Sequence, residues 1–141
     1  MQRSLKVLAL TIGAAALALA VTVPATGATK VLFPSNCGKA SYKPTSIVVT
    51  CGDANNRLVK IKWESYGTDV ASGKATAKVN DCEPNCASGK TKNYPAVVDL
   101  KKPKDCGSYM QFTKLVETFT GAKPPGSKAT VTEKFPCGGN S

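Results

Sequence analysis

The 141-residue chain contains no histidine. Histidine is the usual general base beside a serine or cysteine nucleophile, so Ser-His-Asp and Cys-His catalytic systems are excluded. A Ser-Lys pair would need no histidine, but residues 29–141 contain no S-x-x-K motif that would indicate one.

Carboxylates are also scarce, with nine acidic residues against 19 lysine and arginine residues. They are Asp53, Glu64, Asp69, Asp81, Glu83, Asp99, Asp105, Glu117 and Glu133. Two of them could meet as an acid/base pair, which keeps an extracellular hydrolase as a minor alternative. Nothing in their spacing indicates such a pair, so we predict that the protein is not an enzyme.

Two loops rich in side-chain oxygens, residues 53–55 and 80–85, are candidates for binding calcium. Aspartate and asparagine in such loops more often form turns by bonding their own backbone. The glycine and acid spacing of a calcium loop is absent, so we predict no metal site and no cofactor.

The N-terminus has the layout of a secretory signal peptide, with Arg3 and Lys6 before an uncharged apolar run over residues 7–23. Cleavage after Ala25 or after Ala28 fits the small residues that follow. An uncleaved membrane anchor is the alternative, but the run is marginal for a span of ~20 residues. We predict that the protein is secreted and keeps no stable membrane span.

The predicted organisation is a signal peptide over residues 1–28 and a single β domain over residues 29–141. Without Arg3 and Lys6, 17 basic and nine acidic residues remain, a formal charge of +8. All the remaining basic residues except Arg57 are lysine, and arginine is the preferred residue for bidentate phosphate and base contacts. We therefore predict no sequence-specific nucleic acid partner, and expect either a solvated surface or attraction to an anionic cell-envelope polymer.

Two surface features are candidates for contact with a partner. Lys101, Lys102 and Lys104 form a local cluster of positive charge. Tyr66, beside a glycine, is placed where it could line a groove. The nearby Trp63 is more typical of a core residue, because apolar side chains share its predicted face.

Six cysteines follow the predicted signal peptide: Cys37, Cys51, Cys82, Cys86, Cys106 and Cys137. An even number in an exported chain indicates three disulfides. The preferred pairs are Cys82–Cys86, Cys37–Cys137 and Cys51–Cys106. Cys37–Cys51 is a serious competitor, and 15 pairings are open in principle.

Several segments alternate between apolar and polar residues, which is typical of half-buried strands. They cover residues 46–51, 57–63, 74–79, 94–100 and 129–135. In residues 57–63 the pattern predicts that Val59, Ile61 and Trp63 share the inner face. Residues 109–119 also fit a helix, but their β-branched content favours a long strand with a bulge near Lys114.

Short strands separated by loops rich in glycine and proline predict an all-β fold, a small antiparallel β-sandwich that is Ig-like in the broad sense. Four stretches resemble uncharacterised small secreted disulfide-containing proteins of actinobacteria: IVVTCGD at 47–53 with Pro44 before it, WESYG at 63–67, ASG at 71–73 and NDCEPNCASG at 80–89. The resemblance implies secretion and a compact β fold. It implies no activity and no catalytic residue.

The leading hypothesis is a secreted or cell-wall-associated, non-enzymatic protein that binds an envelope component or another secreted protein. The alternative is a secreted inhibitor or effector that acts on an external target such as a protease. A rigid loop closed by Cys82 and Cys86 would suit that second role. The sequence leaves the ligand and the oligomeric state open.

Overall fold

The structure, a computed structural model, describes residues 27–138. The predicted signal peptide therefore lies outside the described residues except for Gly27 and Ala28, which belong to no strand.

All regular elements within the described residues are β-strands. They are β1 (Val31–Asn36), β2 (Lys39–Ser41), β3 (Ile47–Val48), β4 (Asn56–Tyr66), β5 (Val70–Asn80), β6 (Thr91–Asp105), β7 (Met110–Phe119) and β8 (Thr130–Lys134). Three disulfides join them. The prediction of an all-β fold with three disulfides is confirmed.

The strands form one mixed sheet in the order β2-β1-β7-β6-β5-β4-β3, with β8 also paired to β7. All pairings are antiparallel except that of β1 with β7, which is parallel. The sheet curls around its own apolar face, so a sandwich of two antiparallel sheets is not confirmed. The strands are hydrogen-bonded in one continuous order, and the parallel pair of β1 with β7 makes that sheet mixed. The local residue pattern reveals neither pairing nor direction.

The curl brings together strands that are not neighbours in the sheet. Asn56 of β4 bonds Glu117 of β7 across the interior, although two strands separate β4 from β7 within the sheet. The enclosed core is apolar, and its largest fully buried side chains include Phe33, Leu58, Phe112, Leu115 and Phe135. Burial of such side chains contributes about 1.5–3 kcal/mol each relative to exposure.

Strand β4 is confirmed, but its predicted inner face is wrong for Val59. The register with β5 shifts between Val59 and Lys62, and Lys60 has a φ of 54°. Because of this bulge, Leu58 is fully buried on one side of it and Ile61 on the other. Trp63 packs against the core, as predicted.

The cysteines pair as Cys37–Cys51, Cys82–Cys86 and Cys106–Cys137. Cys82–Cys86 is confirmed, and the competitor Cys37–Cys51 replaces the preferred Cys37–Cys137 and Cys51–Cys106, which are wrong. The reason is the curl of the sheet. It brings the chain after β1 beside the chain after β3, while the chain after β8 returns beside the end of β6.

Candidate functional site

Three lysines stand side by side on the outer face of the sheet. Lys101 of β6 pairs directly with Lys114 of β7, and Lys114 pairs directly with Lys134 of β8. Residues directly opposite one another on neighbouring strands have Cβ atoms about 4.5–5.5 Å apart, and like charges there destabilise a sheet. We call Lys101, Lys114 and Lys134 the lysine row.

Two more lysines, Lys102 and Lys104, lie beside the lysine row because β6 has an irregular backbone at Lys102. Lys102 has a φ of 55°, a left-handed conformation that costs a residue with a side chain about 1–2 kcal/mol. Successive strand residues normally alternate between faces, yet neither Lys101 nor Lys102 is buried. Lys102 and Lys104 are both exposed beside the row.

These lysines border a shallow groove of about 510 Å³, here called the lysine groove. Its lining residues are Lys102, Lys104, Thr113, Lys114, Thr132, Lys134, Pro136 and Cys137. None of them carries a carboxylate. Among the described residues, ion pairs are formed by Lys74, Lys92 and Lys101, and by none of the four lysines that line the groove.

One wall of the lysine groove is the chain that follows β8. The Cys106–Cys137 disulfide fixes this segment to the end of β6. The buried Gln111 holds it from below, since its Nε2 donates to the carbonyl oxygens of Phe135 and Pro136 at 3.1 Å and 3.0 Å. The groove is therefore built on strands and a cross-link rather than on a free loop.

Ammonium groups and hydroxyls converge on the lysine groove, and carboxylates are absent from its lining. Such a surface attracts carboxylate, phosphate or sulfate oxygens and offers three donors from each lysine. It offers no general base and no activated nucleophile. The arrangement is suited to binding an anionic partner.

The repulsion within the lysine row leads to a prediction about stability. Lys114→Gln should raise the free energy of unfolding by about 0.2–1 kcal/mol at low salt, because Lys114 faces a lysine on each side. The gain should shrink with added salt, which screens surface charges. Urea unfolding at two salt concentrations measures it, with Lys39→Gln as the control because Lys39 pairs with Asn36. A Lys114→Gln variant less stable than the parent would contradict the repulsion.

Strand β7 confirms the strand prediction for residues 109–119 and overturns the bulge predicted near Lys114. The pairing of β6 with β7 runs without a register shift, and the irregular residue is Lys102 on the facing strand. Of the predicted contacts, Lys102 and Lys104 line the groove and Lys101 lies in the adjoining row. Sequence reasoning missed Lys114 and Lys134, whose positions depend on strand register.

Tyr66 lies in an aromatic cluster and does not line the lysine groove. Its ring makes edge contacts with the rings of Tyr42, Trp63 and Phe112, with centroids 5.1, 5.0 and 5.8 Å away. Burial raises the pKa of Tyr66 to about 12. The hydroxyl lies near the Lys43 backbone, but no described group makes a hydrogen bond of normal geometry with it. Tyr66 contributes to packing on the inner side of the sheet.

Glu117 is a fully buried carboxyl group on the inner face of β7. Its Oε2 accepts a hydrogen bond from Nδ2 of Asn56 at 2.7 Å, whereas Oε1 of Glu117 and Oδ1 of Asn56 have no partner among the described residues. Burial raises the pKa of Glu117, and the hydrogen bond from Asn56 opposes the rise. The charge of Glu133 adds to the rise, since Glu133 lies on β8 two residues from Val131, the residue that pairs with Glu117. The group is enclosed in the core and faces no groove.

The loop closed by Cys82–Cys86 is exposed over residues 83–88 and is held at both ends. Asn80 donates from Nδ2 to the carbonyl oxygen of Cys86 at 2.8 Å and accepts from the backbone of Cys82 at 3.0 Å. A Cβ at Gly89 would collide with Oδ1 of Asn80, which explains the glycine there. The loop is a rigid projection.

Comparisons of the chain with protein-family models, curated proteins and solved structures find no match. The resemblance to small secreted actinobacterial proteins therefore stays a prediction. Within residues 27–138, no helix has the length and hydrophobicity that a membrane-spanning segment requires. In the same part of the chain, no three His, Cys, Asp or Glu side chains are grouped as a metal site would require.

Proposed function

We propose that the chain is exported, loses residues 1–28, and acts outside the cell or at the cell wall as a non-enzymatic binding protein. Its lysine groove binds an anionic partner, either a component of the envelope or another secreted protein. The signal-like N-terminus supports export. The three disulfides support a location in an oxidising environment, where disulfides persist.

The observation that carries the proposal is the lysine row. Lys101, Lys114 and Lys134 stand opposite one another on three neighbouring strands, and Lys102 adopts a costly backbone conformation beside them. Opposed like charges and a left-handed residue with a side chain each cost stability. Positions that break a local rule of stability are typical of functional sites, and a bound anion would offset the repulsion among the lysines.

The chemistry of the lysine groove limits the kind of partner. Lysine is a compact point charge on a flexible stem and lacks the planar fork with which arginine reads carboxylates and phosphates. Recognition by the groove therefore depends on the density of negative charge and on its spacing along the partner. The hydroxyls of Thr113 and Thr132 add weaker polar contacts between the lysines.

Replacing Lys102, Lys104, Lys114 and Lys134 together by glutamine should weaken binding of a fluorescent inorganic polyphosphate by about tenfold or more. Each exposed charge contact contributes ~0.2–1 kcal/mol, and a total of 1.4 kcal/mol is a factor of ten. Fluorescence anisotropy titration of the mature domain measures the change. Polyphosphate serves as the probe because it carries charge and no side chains.

The control for this experiment carries glutamine at four exposed lysines outside the groove, Lys39, Lys62, Lys78 and Lys90. Both variants lose the same charge, so the difference between them reports the groove and not the net charge. Equal weakening in both variants would contradict the site. No binding by the parent domain at low salt would contradict the proposed function itself.

A second function, inhibition of an external target such as a protease, is favoured by the rigid loop over residues 83–88. Its strongest support is that Asn80 and the Cys82–Cys86 disulfide fix both ends of an exposed segment. Binding to such a target would survive high salt and would be unaffected by the four groove substitutions. These two properties separate it from the leading proposal.

A further inference from the structure

The outer edge of β8 is open to a further strand. Within residues 27–138, β8 pairs with β7 alone. At its two ends the backbone of Phe135 donates to Thr113 at 2.9 Å, and Ala129 accepts from Phe119 at 3.0 Å. In an antiparallel pair, residues that bond the partner strand alternate with residues that face away. The backbone groups of Thr130, Thr132 and Lys134 therefore face away from β7.

The open edge continues the lysine row. A strand added beside β8 would place one of its residues directly opposite Lys134, as Lys114 is on the other side. A lysine in that position would extend the repulsion, whereas an acidic residue would be paired favourably. The exposed side chains of Thr130 and Thr132 lie on the same face as Lys134, and Val131 lies on the inner face, half-buried.

We propose that β8 binds an extended acidic segment of another protein by strand addition, with its acidic residues on the face of the lysine row and apolar residues beside Val131. This proposal rests on the proposed function, since it names the partner of the lysine groove. Backbone hydrogen bonds to β8 supply one part of the recognition, and the charge of Lys134, with Lys114 one strand further in, supplies the other. A second copy of this chain is disfavoured by its positive formal charge and by Lys134 on this edge.

Hydrogen exchange followed by NMR tests the strand addition directly. The probe is an acetylated, amidated peptide of about six residues in which valine and glutamate alternate. At a peptide concentration of about ten times Kd, exchange of the Thr130, Thr132 and Lys134 amides should slow roughly tenfold. The backbone amides of Val131 and Glu133 point toward β7 and are already bonded to it, so their exchange rates should change little.

Inorganic polyphosphate is the charge-only comparison, because it has no peptide backbone. It should bind the groove and leave exchange of the three outward amides unchanged. Peptide binding without protection of those amides would overturn strand addition and leave the proposed function standing. Binding of polyphosphate but not of the peptide would also overturn it, in favour of an envelope polymer. If neither probe binds, the proposed function fails as well.

Thr130→Pro provides a second test that preserves the existing sheet, at a residue outside the lining of the lysine groove. The amide of Thr130 faces away from β7, and proline is tolerated at the first residue of an edge strand where its missing donor faces solvent. Peptide affinity should fall by about tenfold, the effect of one lost hydrogen bond of ~1.4 kcal/mol. Polyphosphate affinity and the thermal unfolding midpoint should be close to those of the parent. Unchanged peptide affinity would count against the proposal.

Discussion

Reducing the three disulfides should unfold the domain at room temperature. A native disulfide in a small secreted domain typically contributes ~2–5 kcal/mol, and the whole stability of such a domain is usually ~5–15 kcal/mol. The bridges close loops of sequence separation 14, 4 and 31. On the loop-entropy model they contribute about 3, 2 and 4 kcal/mol, so their combined loss is comparable to the total.

Urea unfolding with and without a phosphine reductant measures this effect, and paired serine variants separate the bridges. Loss of Cys106–Cys137 should be the most damaging, since it closes the longest loop and fixes one wall of the lysine groove. Loss of Cys82–Cys86 is the matched comparison and should lower the free energy of unfolding least, because it closes the shortest loop. A reduced domain with an unchanged unfolding midpoint would contradict the account. So would two or more reactive thiols in the denatured, unreduced chain.

Glu117→Gln should stabilise the domain at neutral and alkaline pH by about 1–3 kcal/mol, the cost of a buried polar group without a partner. The carboxyl of Glu117 is fully buried, and burial raises its pKa above the ordinary 4.5. A raised folded-state pKa means that the folded chain holds a proton which the unfolded chain releases. The stabilisation that this bound proton gives the folded domain is complete below pH 4.5. It is lost as the pH rises through the folded-state pKa of Glu117.

A glutamine at position 117 removes this dependence, because its amide can both accept from and donate to the Asn56 amide at any pH. Unfolding free energies of parent and variant, measured from pH 4 to pH 9, should therefore diverge as pH rises. Glu133→Gln is the control, since Glu133 lies on the same face and acts on Glu117 only through its charge. A Glu117→Gln variant that is less stable than the parent at every pH would refute this explanation.

The strands were predictable from sequence because alternation is a local property. Residues 94–100 lie within β6, and Tyr94, Ala96, Val98 and Leu100 are all buried as their spacing predicts. The bulge in β4 was not predictable, because Lys60 carries no signal for a left-handed conformation, unlike a glycine or asparagine. That single residue changed which apolar side chains face the core.

Strand pairing was beyond the reach of local patterns. Cys37 pairs with Cys51 because the curled sheet brings β1 beside β3, which are far apart in the strand order. The lysine row depends on register in the same way, since a shift of one residue would send Lys134 to the other face. The cluster of Lys102 and Lys104 was visible in the sequence, but the strands that complete the site were not.

Glu117 left a signal in the sequence that could have been used. It stands between Leu115 and Phe119 at the spacing of an inward face, where an acidic residue is out of place. Such a residue is either a functional group or a buried polar group that needs a partner. The partner, Asn56, lies 61 residues away in the chain, and only the curled sheet brings the two together.

NMR mapping of inorganic polyphosphate on the mature domain tests whether the lysine groove is the binding site. The largest chemical-shift changes should fall on the four groove lysines and on the residues between them, that is, on Lys102, Lys104, Lys114 and Lys134 and their neighbours in the lining. These chemical-shift changes should all become smaller together as salt is added. Changes spread evenly over all exposed lysines, or centred on the loop over residues 83–88, would contradict binding at the lysine groove.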